Sequence, residues 1–423
     1  MTFIKKLHIK YKMPAVTLLL VLIGAIAIGL TACASQGEEP LEKATLYVYN
    51  WGEYISDGSE GTLDTNEMFE EWYYETYGVK VEVNYSTYSS NESMYAKLSS
   101  GSVHYDVVVP SDYMIERMIA EDMLAPLNYD NMPHIGNIHP DFFGPDAVYD
   151  YYDPDNLYAV PYMYGMIGII YNTAMVEADD PALGSWQLMW DERHQGNILQ
   201  FNNSRDAFGT AQYFLGLDVN STDEAEWRQA LEKLKEQKPI LQGYVMDEIF
   251  NKMENGSAAI AAYYAGDFLA MYENNEDLEF FYPAEGTNLY VDAMCIPKAS
   301  QNKEIAEAYI DFMLTEEAAV ANAEYTYYAS PNNAVRDSEE YKEYMNSIKE
   351  GGYDLMYGTD TVKTSSYKNL GGDQLIMLNE LWEELKSDIQ VGLPIYVICA
   401  VILVILIGGG TFLGVRKKIR DKY

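Results

Sequence analysis

Short apolar segments alternate with amphipathic segments along the first part of this chain, and that alternation limits the fold more than any other feature. "TLYVYN" (45–50) and "YDVVVPS" (105–111) have the character of buried strands, and "VKVEVNYS" (79–86) alternates as a half-buried strand does. Segments with the apolar spacing of helices lie at 64–78, 91–101 and 112–124. This repeat of strand and helix predicts an α/β fold with a parallel sheet.

The helix ends and the rest of the central segment follow the same reading. Gly78 is predicted to end the first helix, and Ser90 to cap the second. Residues 130–157 are rich in Asp, Pro, Asn and Tyr and predict a long surface connection, and the apolar stretch 157–172 predicts one or two strands. Further strands are predicted at 257–267 and 289–297, and further helices at 207–216, 223–237, 302–326 and 373–388, with two helices in 302–326.

The N-terminus has the order of a secretory signal. Basic residues between positions 5 and 12 precede the apolar run "PAVTLLLVLIGAIAIG", and "LTAC" follows it. The last four residues resemble the lipobox of bacterial lipoproteins, which predicts a signal peptide over 1–32, lipidation of Cys33 and a polar linker over 33–43. An uncleaved membrane anchor is the alternative.

A second apolar segment lies near the C-terminus. Residues 393–415 run for 23 residues without a charge, which predicts a transmembrane helix. The basic residues of 416–423 follow at once and place that tail in the cytoplasm by the positive-inside rule. The central domain is therefore expected on the extracytoplasmic face of the cell membrane.

The central segment is strongly acidic. The chain has a formal net charge of −37, and nine of its 28 Lys and Arg residues lie in the two ends, 1–33 and 416–423. Nucleic acid is an unsuitable partner for such a surface, because phosphate contacts need basic side chains. A cationic ligand would be steered toward it, and a surface that only keeps the protein soluble is the alternative.

The sequence predicts neither an enzyme nor a metal site. Cys295 is alone in the central segment, so it has no partner there for a disulfide or a cysteine metal cluster. No HExxH helix, GxSxG elbow or phosphate-binding loop occurs. Pairs of carboxylates are frequent, so paired-acid glycoside chemistry stays open. No cofactor is expected.

Several predicted strand ends carry an aromatic residue with a carboxylate close by. They are Trp51–Glu53–Tyr54, Ser111–Asp112–Tyr113, Tyr264–Asp267 and Tyr290–Asp292. Ligands of open α/β sheets bind beyond the carboxyl ends of the strands. Aromatic faces attract ammonium groups and carboxylates bind N–H donors, which favours a flexible aliphatic polycation, whereas ordinary core or surface tyrosines are the alternative.

Five segments of the chain together resemble one protein family. "LYVYNWGEYI", "NYSTYSSNESMYAKL", "YDVVVPSDYMIERM", "AVPYMYG" and "ASPNNAVR" together resemble the spermidine/putrescine-binding proteins of bacterial ABC importers, in order through nearly all of 44–390. The resemblance implies a two-lobed periplasmic-binding-protein clamp of type II that binds a polyamine and docks on permease subunits. It implies lobe 1 at 44–165 and 291–336, and lobe 2 at 166–290 and 337–390. A monomer is expected.

The resemblance also assigns ligand-binding positions. These are Trp51, Tyr54, Ser111, Tyr113, Asn203, Asp206, Tyr264, Asp267, Tyr290, Asp292 and Tyr328. Gly52 stands where the family often has Thr, and Asn203 where spermidine-preferring members have Asp. Asp267 resembles the putrescine type, so putrescine, alone or together with spermidine, is the expected ligand. The alternatives are another cation or a small peptide in the same clamp, a surface glycosidase, and an adhesin.

Overall fold

The structure is a computed structural model that describes residues 43–387, apart from residue 146 and residues 359–360. The predicted signal peptide, the lipidated Cys33, the apolar segment 393–415 and the tail 416–423 lie outside the described residues. Among the helices between 43 and 387, none is both long enough and apolar enough to cross a bilayer.

The described residues form strands that we number along the chain. They are β1 Lys43–Trp51, β2 Lys80–Tyr88, β3 Val107–Val108, β4 Ala159–Asn172, β5 Ile198–Phe201, β6 Leu241–Val245, β7 Ile260–Tyr264, β8 Leu278–Phe281, β9 Thr287–Cys295 and β10 Thr364–Ser365. The first two strands pair in parallel, with Leu46 opposite Val83, as the sequence predicts.

The α-helices of the same region are numbered in the same way. They are α1 Thr65–Tyr77, α2 Asn91–Ser99, α3 Asp112–Ala120, α4 Ser204–Leu215, α5 Glu224–Gln237, α6 Glu248–Glu254, α7 Ala265–Asn274, α8 Lys303–Met313, α9 Glu316–Thr326, α10 Asn333–Arg336, α11 Glu339–Ile348, α12 Gly352–Tyr357 and α13 Gly372–Ser387. Ser90 caps α2 by accepting from Ser93 N, and Gly78 ends α1 at φ 71°, so both predictions are confirmed.

One continuous sheet organises the molecule, with strand order β2-β1-β3-β9-β4-β7-β5-β6. The long strands β4 and β9 are antiparallel and join its two halves. Along β4, Ala159 to Met166 pair with β9, whereas Ile167 to Tyr171 pair with β7. Every residue of β9, and all of β4 but Tyr171, is buried, because helices cover the sheet.

The structure corrects two of the predicted strands. The segment 105–111 contributes only Val107–Val108 as strand, because Pro110 has no N–H to donate and the Asp106 side chain accepts from Tyr47 N. The segment predicted as a strand over 257–267 stops at Tyr264, where α7 begins. The apolar stretch 157–172 forms a single strand, and the helices predicted at 302–326 and 373–388 are confirmed.

Candidate functional site

A cleft lies between the two halves of the sheet, at the carboxyl ends of the parallel strands. It encloses about 740 Å³ between its walls, part of it open to solvent. All eleven ligand-binding residues predicted from the sequence line this one cleft: Trp51, Tyr54, Ser111, Tyr113, Asn203, Asp206, Tyr264, Asp267, Tyr290, Asp292 and Tyr328. They come together because β1, β2 and β3 end on one side of the cleft, and β5, β6 and β7 end on the other.

Asp292 projects into the cleft from the joining strand β9. Its side chain is 4% exposed, and Tyr54 donates its hydroxyl hydrogen to Oδ2 at 2.7 Å. Oδ1 is buried and has no hydrogen-bond partner among the described residues. Burial raises the pKa of this carboxyl to about 7, because the charged form is poorly solvated there. A buried carboxylate with an unpartnered oxygen is suited to receive a cationic donor.

Asp206 lies in the first turn of α4, on the other side of the cleft. Asn203 caps this helix: its Oδ1 accepts from Asp206 N at 2.8 Å, and its Nδ2 donates to Asp206 Oδ2 at 2.8 Å. Tyr264 also donates to Oδ2, at 2.7 Å. Burial raises the pKa of Asp206. Asn203 therefore orients the acidic group as well as lining the cleft.

Asp267 follows β7 in the first turn of α7. Burial raises the pKa of its carboxyl to about 7, and the negative charge of nearby Asp247 adds to the shift. The preceding residue, Gly266, lies directly under the ring of Tyr328, where an added Cβ would come within 2.5 Å of Cδ2. Glycine at 266 is therefore needed to let Tyr328 pack against this end of the cleft.

Aromatic rings form the walls between these acids. Trp51 is fixed by a hydrogen bond from Nε1 to Val109 O at 2.9 Å. The rings of Tyr54 and Tyr328 meet edge to face at a centroid distance of 4.9 Å, and those of Tyr264 and Tyr290 at 5.5 Å. These contacts hold the rings in place on both sides of the cleft.

The first turn of α2 meets the start of α3 at the third edge of the cleft. Asn91 Nδ2 donates to Ser111 Oγ at 3.0 Å, and Asn91 Oδ1 accepts from Ser111 N at 3.1 Å. Tyr113 donates to Glu92 Oε1 at 2.9 Å. Behind them, buried Asp112 accepts from the Tyr151 hydroxyl and thus supports the cleft without lining it.

Sequence reasoning missed several lining residues. Glu92, Asp247 and Tyr367 are the most informative of them. Glu92 lies within the segment "NYSTYSSNESMYAKL", which resembles the family, but the resemblance assigned no ligand-binding role to this residue. Asp247 follows β6, a strand that the sequence did not predict, and Tyr367 lies in the segment before α13, for which no strand or ligand position was predicted. Their signals were therefore weak or absent.

The charge of the cleft is one-sided. Five carboxylates line it, from Glu92, Asp206, Asp247, Asp267 and Asp292, and no Lys, Arg or His is among the described residues that do so. Eight of the lining residues are Trp or Tyr. Buried Arg205 lies outside this lining, and its charge acts on Asp206 and Glu92. Lining acids in this excess, set between aromatic faces, have the chemistry of a site for an organic cation.

A group of metal-ligand type lies outside the cleft. Asp180, Asp191 and His194 offer ligand atoms within 4.8 Å of one another. The Arg193 guanidinium lies 2.8 Å from Asp180 Oδ2 and also pairs with Asp191. These two carboxylates therefore already have a positive partner within the protein.

Comparison with known proteins decides the family. The family described as bacterial extracellular solute-binding proteins matches residues 67–348. The chain belongs to this family. It has the mixed α/β periplasmic-binding-protein fold, and solute binding is the role of the family.

Individual relatives of this solute-binding protein agree with the motifs. The spermidine/putrescine-binding periplasmic protein of Salmonella typhimurium is 30% identical over 365 residues, which cover 86% of this chain and 96% of the relative. The putrescine-binding periplasmic protein PotF of Escherichia coli is 28% identical, with 74% and 84% covered. A solved putative spermidine/putrescine ABC transporter protein from Listeria monocytogenes is 34% identical, with a TM-score of 0.70 over 81% of this chain and 99% of that one. The predicted resemblance is confirmed.

Proposed function

We propose that this protein is an extracytoplasmic receptor for polyamines, putrescine, spermidine or both, and that it delivers them to the permease subunits of an ABC importer without catalysing a reaction. The observation that carries the proposal is the cleft with five carboxylates, eight aromatic residues and no basic residue among its described lining. The similarity to spermidine/putrescine-binding proteins supports the same ligand class.

Each part of the cleft matches a part of such a ligand. An ammonium group donates charge-assisted hydrogen bonds to the carboxylates of Asp206, Asp267 and Asp292. Each aromatic face adds about 0.5–2 kcal/mol of cation–π attraction, depending on desolvation. The rings also cover the methylene groups between the charges, which a neutral sugar or a short peptide does not require. No nucleic acid, cofactor or metal takes part in this function.

The clamp is proposed to close by rotation of lobe 1 (44–165 and 291–336) against lobe 2 (166–290 and 337–390). The change of partner along β4, from β9 at Met166 to β7 at Ile167, supports a boundary near 165. Asp292 belongs to the first lobe and Asp206 to the second, so one ligand that binds both stabilises the closed form.

Attachment to the membrane completes the proposal. Lipidation of Cys33 and a helix over 393–415 are proposed to hold a monomeric receptor at the extracytoplasmic face, near its permease. The support is the signal-like N-terminus and the uncharged run of 23 residues. Confinement to the membrane raises the receptor concentration at the permease.

Isothermal titration calorimetry of the full-length chain in a mild detergent tests the function. We expect saturable binding of putrescine or spermidine at a stoichiometry of one, because the cleft offers a single set of anionic and aromatic groups. Maltose and a neutral dipeptide are the matched controls and are expected to give no heat of binding. Binding of maltose, or no detectable heat of binding with any polyamine, would contradict the proposal.

The Asn203→Asp variant is expected to shift preference toward spermidine by about tenfold, the value of one charged hydrogen bond. A second carboxylate beside Asp206 supplies charge for an additional ammonium, and its oxygen still accepts from Asp206 N and keeps the helix cap. The hydrogen bond from Asn203 Nδ2 to Asp206 Oδ2 is lost, so the two neighbouring carboxylates repel each other until an ammonium binds between them. Calorimetry with both amines measures the ratio of dissociation constants. Gln229→Glu, which adds the same charge at an exposed position of α5, is the control. An unchanged ratio in Asn203→Asp refutes this role.

A further inference from the structure

The loop after β6 brings a carboxylate across the rim of the cleft. Asp247 Oδ2 lies 3.4 Å from the position that a Cβ atom on Gly52 would occupy. Gly52 follows β1, whereas Asp247 follows β6, so the two residues come from opposite halves of the sheet. The missing side chain at position 52 leaves the space beside Asp247 open to the cleft.

Most of the other carboxylates in the cleft accept a hydrogen bond from a neighbouring side chain, whereas the carboxylate of Asp247 does not. Asp206 accepts from Tyr264 and Asn203, and Asp292 accepts from Tyr54. The Asp247 carboxylate accepts no side-chain hydrogen bond within the described part of the chain, and it is exposed at the rim. The part of its carboxylate that faces the cleft wall is desolvated, and this partial burial raises its pKa together with the charge of neighbouring Glu248. The charge of Asp247 in turn acts on Asp267. A cation between Asp247 and Asp267 would relieve this repulsion.

The cleft also continues outward past this residue. A second groove is lined by Ser89, Asn202, Met246, Asp247, Glu248 and Asn251. Ser89, Met246 and Asp247 line both the groove and the cleft, so the two spaces meet there. A ligand that is longer than the cleft can therefore extend outward past Asp247 into the groove. A second acid, Glu248, lines the groove beyond Asp247.

We propose that Asp247, given room by Gly52, contacts the outermost ammonium of a polyamine and selects for chain length, favouring triamines over diamines. The proposal rests on the proposed function and deepens it. A diamine satisfies the inner acids Asp206 and Asp292, whereas a triamine extends to the rim. Gly52 lacks the hydroxyl group that a threonine at this position would offer to the ligand. The carboxylate of Asp247, which glycine leaves room for, offsets this loss.

The test measures dissociation constants of putrescine and spermidine by calorimetry for four full-length single variants and for the double variant Asp247→Asn with Gly52→Val. Asp247→Asn is expected to weaken spermidine about tenfold, the value of one charged hydrogen bond, and putrescine less than about twofold. Gly52→Val is expected to do the same, because atoms beyond Cβ compete with the carboxylate for space. Gly52→Ala, whose Cβ fits at 3.4 Å, is the steric control, and Asp277→Asn on the exposed surface is the charge control.

The outcomes distinguish the proposed role of Asp247 from the proposed function of the protein. A selective loss of spermidine in Asp247→Asn and Gly52→Val, less than additive in the double variant, supports the proposal, because the two changes act on one contact. Equal losses for both amines, or none, overturn it while leaving the proposed function intact. If the wild-type protein binds neither amine, the proposed function fails, and this inference fails with it. Unchanged thermal unfolding of the variants shows that folding is not the cause.

Discussion

The Asp292→Asn variant is expected to bind polyamines between about 150-fold and 5,000-fold more weakly than the wild-type protein. Removing one partner of a buried charged pair costs about 3–5 kcal/mol, because the other charge stays desolvated and uncompensated. Asp292 is 4% exposed, and its Oδ1 has no partner among the described residues, so an amide there cannot neutralise an ammonium. Calorimetry with putrescine and spermidine measures the change.

Two controls separate lost binding from lost folding. The ligand-free Asp292→Asn protein is expected to unfold at a temperature no lower than the wild type, because burying a carboxylate without a cation is unfavourable and the amide removes that cost. Asp277→Asn removes the same charge from the exposed surface and is expected to bind normally. Affinity near that of the wild type in Asp292→Asn would show that Asp292 does not contact the ligand.

Polyamine affinity is expected to rise by at least about 100-fold between pH 5 and pH 8, since each coupled carboxyl contributes about tenfold per pH unit below its pKa. In the ligand-free protein, burial raises the pKa values of Asp267 and Asp292 to about 7, so both carboxyls hold a proton below that pH. A bound ammonium favours the ionised form and lowers these pKa values. Protonation therefore competes with binding, and affinity increases with pH until both groups are ionised in the free protein.

Calorimetry across this pH range, repeated in two buffers with different ionisation enthalpies, measures both the affinity and the protons released. Above about pH 8 the affinity is expected to level off, because the carboxyls are then ionised and a further rise in pH begins to deprotonate the amine ligand. Asp267→Asn has one titrating group fewer and is expected to give a shallower slope. A flat profile with no proton release would mean that the two carboxyls are already ionised in the free protein.

Much of the cleft could be predicted from short motifs. Trp51 ends β1, Tyr54 follows it, and Asp292 lies within the apolar run that forms β9, so strand periodicity together with the family resemblance placed them. The grouping follows from a general property of parallel sheets, whose strands all end at one edge. Where a motif coincides with the end of a strand, the local sequence pattern is enough to predict that its residues line the cleft.

Other parts of the fold could not be read in this way. Strands β5 and β8 each have only four residues, which is too short for a period to show, and β3 has two. The start of α7 at Ala265 was hidden because "SAAIAAYYAGD" is apolar without a break between strand and helix. Asp247 was missed since β6 before it was not predicted.

By itself, the sequence determined the α/β class, the acidic charge and the aromatic and acidic residue types that a polyamine site requires. Only the tertiary structure decided that Glu92 and Asp247 join the predicted acids in one cleft, how Asn203 orients Asp206, and that Asp247 reaches Gly52 from the other half of the sheet. The physical reason is that periodicity and motifs report local geometry. Burial, pKa shifts and contacts between residues almost 200 positions apart arise only when the two halves of the sheet face each other.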